Sequence, residues 1–526
     1  MSDENMDAPG QPATLRELLA QRALAAPDQA FLISEADGRS FSYAQFDRAV
    51  NATARLLASV GIKQGDVVSL LMPNSAEYVI AYFACFKLGA LAGPINSLLK
   101  ADETAYVLAN SEAKVLLVHS EYEQKIDGLR GRLPELRHVI TFDDEAEATR
   151  EFASADDDLP GVASESDAEA IIIYTSGTSG RPKGCLLTHG NLIANARQIT
   201  RWLRFTERDR LLTVMPLFHM NAVSVTTLTP LYAGASTVVS PRFSASRFWQ
   251  IVSDYQVTSF GSVATMLSML LSAYPEGVPE GLRIDQLRFA MCGSAPVPSE
   301  VLRRFEETFN CLVIEGYGLS ESTCRSTFNP PDERRRPGSC GMAIGNEIKV
   351  FDDDDREVAD GELGEIVLRG ENIFKGYYKN VEATGRAFRG GWFHTGDIGY
   401  RDADGFFYIV DRKSDMIIRG GENIYPREID EVLYRHESVA EAATIGVPDA
   451  LYGEAVAAFV VLKEGRGASA EELVEFCRGQ LADYKCPQTI HFLKELPKGP
   501  TGKVLKRELV RLYAQPKRDL NARDAK

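Results

Sequence analysis

From Ile171 to Gly184 the chain reads Ile-Ile-Ile-Tyr-Thr-Ser-Gly-Thr-Ser-Gly-Arg-Pro-Lys-Gly: an apolar strand, a loop of small and hydroxylated residues, then a lysine. Small residues let backbone N–H groups turn around an anion. The hydroxyls of Thr175, Ser176, Thr178 and Ser179 add donors, Gly177 and Gly180 add room, and Lys183 adds charge. Together these make a phosphate cradle. It is not the G-x-x-x-x-G-K-S/T loop, because Pro182 precedes Lys183 and Gly184 follows it, leaving no hydroxyl there for a metal. Further polar segments stand downstream: Glu315-Gly-Tyr-Gly-Leu-Ser-Glu-Ser322, Gly391-Trp-Phe-His-Thr-Gly-Asp397, Asp411-Arg-Lys-Ser-Asp-Met-Ile-Ile-Arg-Gly-Gly-Glu-Asn-Ile424 and Pro497-Lys-Gly-Pro-Thr-Gly-Lys503. Lysine in a Gly/Pro/Thr loop answers no structural demand, which favours a chemical task for Lys503.

Such groups need a scaffold to bring them together, and the periodicity of the chain predicts one. A helix is expected over 14–25 and a hairpin over 31–43, turning near Asp37-Gly38. Strands at 67–72 and 115–118 flank a helix at 76–88. After the phosphate loop come strand 211–215, helix 222–232, strand 237–239 and helix 244–254, then strand 289–292, helix 298–308 and strand 312–315. This βα rhythm predicts a largely parallel sheet covered by helices. From about Lys349 short strands and Gly turns predict a β-rich subdomain. Beyond Arg412–Asp415 a compact α+β pattern follows, with helix 426–436 opening on Pro426, strands 441–447 and 455–463, and helix 470–482.

At 526 residues the chain is too long for one ordinary domain. A net charge of −16 argues against nonspecific binding to nucleic acid or anionic membrane. The runs Asp156–Asp158 and Asp352–Asp355 read as solvated loops rather than metal sites. The eight cysteines form no C-x-x-C pair, so no zinc site or disulfide framework is suggested and most are expected as buried thiols. Residues 1–12 read as a disordered tail without signal-peptide character. The apolar stretch 67–99 holds Asn74, Glu77, Lys87 and Pro94, so it reads as core rather than a membrane span. A cytoplasmic protein is expected.

In content, order and spacing, the five segments resemble the adenylate-forming superfamily of acyl-CoA synthetases, amino-acid adenylation domains and firefly luciferase, over roughly residues 15–512. The resemblance implies an α/β fold. A large N-terminal AMP-binding domain (13–412) has parallel α/β sheets and a β-barrel-like subdomain at about 349–412. A small mobile α+β C-terminal domain (413–526) follows a hinge at 412–415. It implies ATP, Mg²⁺ and coenzyme A as reaction partners, with a homodimer as one possible assembly. Thr175 to Gly180 would wrap the β- and γ-phosphates, with Lys183 nearby. Tyr317 would stack on adenine, Ser320 would donate to the α-phosphate, and Glu321 would hold Mg²⁺. Asp397 and Arg412 would bind ribose, and Lys503 would bridge the carboxylate and α-phosphate. Gly293, Ser294, Ala295, Glu315, Gly316 and Gly318 complete the implied nucleotide set. Gly420 and Gly421 would line a pantetheine tunnel after domain rotation. Many relatives carry Asp or Lys where Ser414 stands, so this hinge departs from the usual chemistry.

By the same resemblance Met215-Pro-Leu-Phe-His-Met-Asn221 is a gate, placing His219 near the carboxylate and the acyl pocket. Amino-acid adenylation domains carry aspartate where His219 stands, which disfavours an amino-acid substrate. Pocket walls are expected from 219–224, 260–266, 292–296 and 315–317, with His219, Asn221, Gly261, Val263, Cys292 and Tyr317 among them. These windows hold no arginine or lysine, so a small-to-medium neutral carboxylate is expected. Phe248-Trp249, Arg334-Arg-Arg-Pro337 and 406–423 resemble carnitine/crotonobetaine-CoA ligases, although no cage for a quaternary ammonium is evident. The competing readings are a carrier-protein loader, an inactive scaffold and a luciferase-like oxygenase. A scaffold would be expected to lose Glu321, Asp397 or Lys503, and all three are present.

Overall fold

The computed structural model describes residues 11–142, 162, 165–175, 181–293, 297–499 and 504–514. Two seven-stranded sheets form its body. The first runs, edge to edge, Leu312–Glu315, Phe289–Cys292, Ser259–Ser262, Arg210–Thr213, Ser236–Val239, Ala30–Ser34 and Ser40–Ser42. The second runs Gly376–Tyr377, Lys183–Thr188, Glu169–Thr175, Leu91–Pro94, Val67–Leu71, Val115–His119 and His138–Phe142. Pairing is parallel except at the Ala30–Ser42 hairpin and around Lys183–Thr188. Lys183 opens a strand that the βα rhythm did not contain. It lies antiparallel to Glu169–Thr175, with Thr175 opposite Lys183, so the strand Glu169–Thr175 is followed by a second strand rather than by a helix. The helix His189–Leu203 follows only after this second strand, capped by Thr188 and Asn191.

Strands buried on both faces explain the apolar runs. Ile171 and Ile173 enter the main core between the two sheets, while Ile172 turns to a second core with Val67, Leu71 and Leu116 on the opposite face. The helix Ala76–Leu88 is buried nearly all round, begins at Ser75, whose hydroxyl accepts the Tyr78 N–H, and stops at left-handed Gly89. That accounts for the 67–99 stretch as core. No helix of the described residues is long and apolar enough to cross a membrane. All eight cysteines are free thiols, and only Cys340 is not fully buried. Asp353 to Asp355 are exposed, as a solvated loop should be, while 156–158 lie outside the described residues.

The predicted helix 222–232 differs in kind. Residues Asn221–Leu228 form a π-helix that passes into an α-helix at Thr229–Ala233. The threonines supply a reason: Thr227 Oγ1 donates to Ala222 O and Thr229 Oγ1 to Ser224 O, each five residues back. These bonds favour the wider turn. A third sheet, Glu347–Phe351, Gly364–Arg369, Trp392–Arg401 and Phe388–Arg389, with Phe407–Arg412 on Trp392–Arg401, is antiparallel throughout and forms a half-barrel. The C-terminal sheet joins Glu422–Ile424, Ile417–Arg419, Gly453–Leu462 and Val439–Asp449, with Thr489–Phe492 added in parallel. Its two faces carry separate cores drawn only from residues beyond 416. The expected helix 470–482 ends at Arg478, before Gly479. A turn at 412–415, closed by Asp415 N–H to Arg412 O, joins this α+β unit to the body.

Candidate active site

Asp397 and Arg412 lie opposite each other on neighbouring strands of the half-barrel. Asp397 is 4% exposed. The Tyr317 O–H donates to its Oδ2 at 2.7 Å, and Arg412 Nε stands 3.2 Å from its Oδ1. Burial and the adjacent carboxylate push the Tyr317 phenol well above its usual range, so it remains a donor. Thr395 orients the aspartate: its Oγ1 accepts the Asp397 N–H at 3.1 Å and donates to Ile366 O at 2.7 Å. Beside this group a cavity of about 280 Å³ is lined by Arg412, Lys413 and Ser414 of the turn and by Arg386, Arg389 and His394.

A second group forms around Glu321. The Tyr377 O–H donates to Glu321 Oε1 at 2.9 Å, and Lys183 Nζ lies 5.0 Å from the centre of the Tyr377 ring. Burial raises the Glu321 carboxyl above its ordinary value, a position that a neighbouring cation would relieve. Among the described residues no cluster of three His, Cys, Asp or Glu could hold a metal unaided. A hard cation there would rest on Glu321 and on ligand oxygens, which suits magnesium bound through one carboxylate and phosphates. Ser320 starts the short turn Ser320–Ser322, half-buried. Ser176 to Gly180, Ser294, Ala295 and Lys503 lie outside the described residues.

Glycines of the 315–322 segment answer a packing demand. A Cβ on Gly316 would stand 2.5 Å from Phe328, and one on Gly318 2.0 Å from Cys324 O, because this strand folds back on 324–328. Glu315 sits at the end of its strand and accepts the Gly338 N–H at 2.9 Å. Burial carries its carboxyl up to about 7.

The segment 215–221 is tied down by its neighbours. Asn74 donates to Met215 O and Ser240 O and accepts the Leu217 N–H, while the Tyr82 O–H donates to Leu217 O. These bonds fix the loop before His219. Burial lowers the His219 imidazole to about 4, so it is neutral, and its Nε2 has no partner among the described residues. Asn221, 5% exposed, has both amide atoms unpartnered there too, and its Oδ1 lies 2.9 Å from where a Cβ on Gly261 would be. Val263 and Cys292 are buried as well, and burial raises the Cys292 thiol to about 12, which makes it unreactive.

The structure thus brings together Tyr317, Asp397 and Arg412, then Glu321 and Lys183 through Tyr377, then Asn221 and Gly261. Gly420 and Gly421 instead form the tip of a hairpin on the C-terminal sheet, at φ 62° and 92°, with the Gly420 N–H donated to Tyr452 O. That turn requires left-handed residues on its own account. Sequence reasoning missed Tyr377, Thr395 and the positioning role of Asn74, none of which carries a local signal.

The AMP-binding enzyme model matches residues 19–378, and the AMP-binding enzyme C-terminal domain model matches 428–503. The chain belongs to the AMP-binding enzyme family. It is 38% identical over 500 residues to a sulfoacetate–CoA ligase of Cupriavidus necator, covering 94% of this chain and 97% of the relative. It is 36% identical over 502 residues to the long-chain-fatty-acid–CoA ligase FadD13 of Mycobacterium tuberculosis, covering 94% and 98%. A crotonobetaine/carnitine–CoA ligase of Escherichia coli is also similar, at 32% over 496 residues, 91% of this chain and 95% of that relative. Among solved structures, ATP-bound MatB from Rhodopseudomonas palustris superposes with a TM-score of 0.88 at 29% identity, covering 96% of this chain and 99% of that one. As a member of this AMP-binding family the chain is an acid–thiol ligase.

Proposed function

We propose that this AMP-binding enzyme joins a small carboxylic acid to coenzyme A through an acyl-adenylate. A carboxylate is a poor electrophile, so the acid must first be activated. Its oxygen attacks the α-phosphorus of ATP, the bond to the β-phosphate oxygen breaks, and pyrophosphate leaves. The CoA thiol then attacks the acyl carbon, the C–O bond to AMP breaks, and the thiol proton passes to solvent. The observation that carries this reading is the Tyr317–Asp397–Arg412 group. A buried carboxylate flanked by an aromatic ring and a guanidinium has the composition of a ribose and base site.

In this reading Asp397 and Arg412 take the ribose and the Tyr317 ring takes adenine. Ser320 donates to the α-phosphate, with Gly293, Ser294, Ala295, Glu315, Gly316 and Gly318 shaping the surroundings. Thr175 to Gly180 and Lys183 hold the outer phosphates, and Lys503 bridges the acid and the α-phosphate. Glu321 would hold magnesium, whose contribution when bound is to neutralise phosphate charge. Neutral His219 offers the acid a hydrogen bond without adding charge. The small C-terminal domain would turn about 412–415 between the two steps, with Gly420 and Gly421 then facing CoA.

Relatives named for sulfoacetate and for long-chain fatty acids are about equally similar to the chain, so similarity alone does not choose the acid. Mass spectrometry of reactions with ATP, Mg²⁺ and a panel of acids, with and without CoA, tests the reading. AMP and an acyl-CoA together support it. An acyl-adenylate that persists with CoA present would shift it to a carrier-protein loader, and no AMP from any acid would overturn it.

A further inference from the structure

We infer that the acid bound here carries a second anionic group, carboxylate or sulfonate, and that Arg325 holds it. This deepens the ligase reading and rests on it. Arg325 is 1% exposed. Its backbone is clasped: Asn195 Oδ1 accepts its N–H at 3.3 Å, and its carbonyl accepts Asn195 Nδ2 at 2.7 Å and Asn372 Nδ2 at 3.3 Å. The side chain is not clasped. Nε and Nη2 have no hydrogen-bond partner, and no ion pair to Arg325 exists among the described residues. Glu321, the nearest acid in sequence, is bound by Tyr377 instead. The undescribed residues next to Gly293 are Ser294, Ala295 and Pro296, none of them an acid. Phe328 lies 5.3 Å beneath the guanidinium and leaves its N–H edge unsatisfied. A buried charge without a counter-charge is strongly unfavourable, and it persists where a ligand completes it.

Where the guanidinium sits decides what that ligand is. A Cβ on Gly293 would stand 2.5 Å from Arg325 Nη1, so the guanidinium lies directly over that glycine. Asn221 lies in the same way over Gly261. Gly261 pairs with Met291, and Gly293 stands two residues beyond Met291, just past the end of the strand Phe289–Cys292, so by the alternation of the strand both glycines belong to the same side of the sheet. One strand spacing and two residues of rise put them roughly 8 Å apart. Asn195 ties the two sides together, since its Oδ1 also accepts from Ser224 of the π-helix that carries Asn221. The unpartnered amide of Asn221 and the unpartnered Nε and Nη2 of Arg325 therefore belong to side chains that each lie over one of these two neighbouring glycines. A neutral acyl chain would leave the guanidinium bare, whereas a short acid with a second anion completes it bidentately. The windows read for pocket walls stopped short of residue 325, which is why a neutral acid was expected from them.

The test compares isosteric pairs: malonate with malonamate, succinate with succinamate, and sulfoacetate with methylsulfonylacetate. Both kcat/KM and calorimetric binding in the presence of AMP are measured, for wild type and Arg325→Met. Wild type should favour at least one dianion over its partner by about 30-fold or more. In Arg325→Met that ratio should fall by at least about 30-fold. The ratio is independent of how much enzyme folds. Wild type with no dianion preference in either turnover or binding overturns the inference, as does an unchanged ratio in the variant. Ligase turnover without such a preference leaves the proposed function standing and removes Arg325. Dianion binding lost in the variant, with no AMP formed from any acid, retains Arg325 and removes the ligase reading.

Discussion

Tyr317→Phe deletes one oxygen, and with it the 2.7 Å hydrogen bond to Asp397 Oδ2. The carboxylate keeps Arg412 on its other oxygen at 3.2 Å, so its charge is not stranded. A hydrogen bond to an ionised acceptor contributes about 1.5–3 kcal/mol, equivalent to about 10- to 150-fold in affinity. Removing the hydroxyl should weaken AMP binding by that factor if Tyr317 holds Asp397 in place for the nucleotide. A double-mutant cycle with Asp397→Asn separates this from direct contact. Once the carboxylate is replaced, losing the hydroxyl should cost little more, giving a coupling of about 1.5–3 kcal/mol in AMP affinity by calorimetry. Because burial and Asp397 keep the phenol protonated, the coupling should be flat across neutral and mildly alkaline pH. Thermal melts establish that all four proteins are folded. Additivity within about 0.5 kcal/mol would refute the reasoning, and so would a Phe variant that binds AMP like wild type.

Lys503→Ala should reduce ATP–pyrophosphate exchange by on the order of 100-fold while sparing thioester formation from supplied acyl-adenylate; equal loss of both half-reactions would contradict separate conformations for the two steps. His219, driven to about 4 by burial, is neutral at neutral pH. The pH profile of adenylation between about pH 6 and 8 should therefore keep its shape in His219→Asn, and an inflection near the ordinary histidine value that disappears in the variant would show a charged imidazole at work. Glu315 has a folded value of about 7 against an ordinary 4.5, because burial disfavours its charge. Folded protein then binds the proton more tightly than unfolded chain, so this group's contribution to stability is highest below pH 4.5 and falls as pH rises to about 7. Glu315→Gln has no such slope. Its stability relative to wild type should rise over that window by up to about 3 kcal/mol and then level off, and a difference that is constant with pH in denaturant melts would rule the effect out.

Local cues in the chain were legible, and cues that depend on contact across the fold were not. Continuous apolar runs located Ile171–Ile173 and Val67–Leu71, because strands buried on both faces leave that mark in a sequence. The strand Lys183–Thr188 was invisible, since its first half reads as the tail of a loop and its pairing with Glu169–Thr175 is tertiary. Tyr377 reaches Glu321 across 56 residues and Asn74 reaches Met215 across 141, so neither could be found from neighbours in sequence. The π-turn at Asn221–Leu228 shows an intermediate case: threonines at 226, 227 and 229 are visible, but their bonds to carbonyls four and five residues back emerge only in the folded chain. Gly293 makes the same point about function. A glycine in sequence announces that something comes close without saying what comes. At Gly316 it is the Phe328 ring, at Gly261 an asparagine oxygen, and at Gly293 a buried guanidinium. The first of these closes a core, while the other two leave polar groups facing an unfilled demand. The chemistry of this site is therefore written less in its glycine-rich segments than in the side chains those glycines admit.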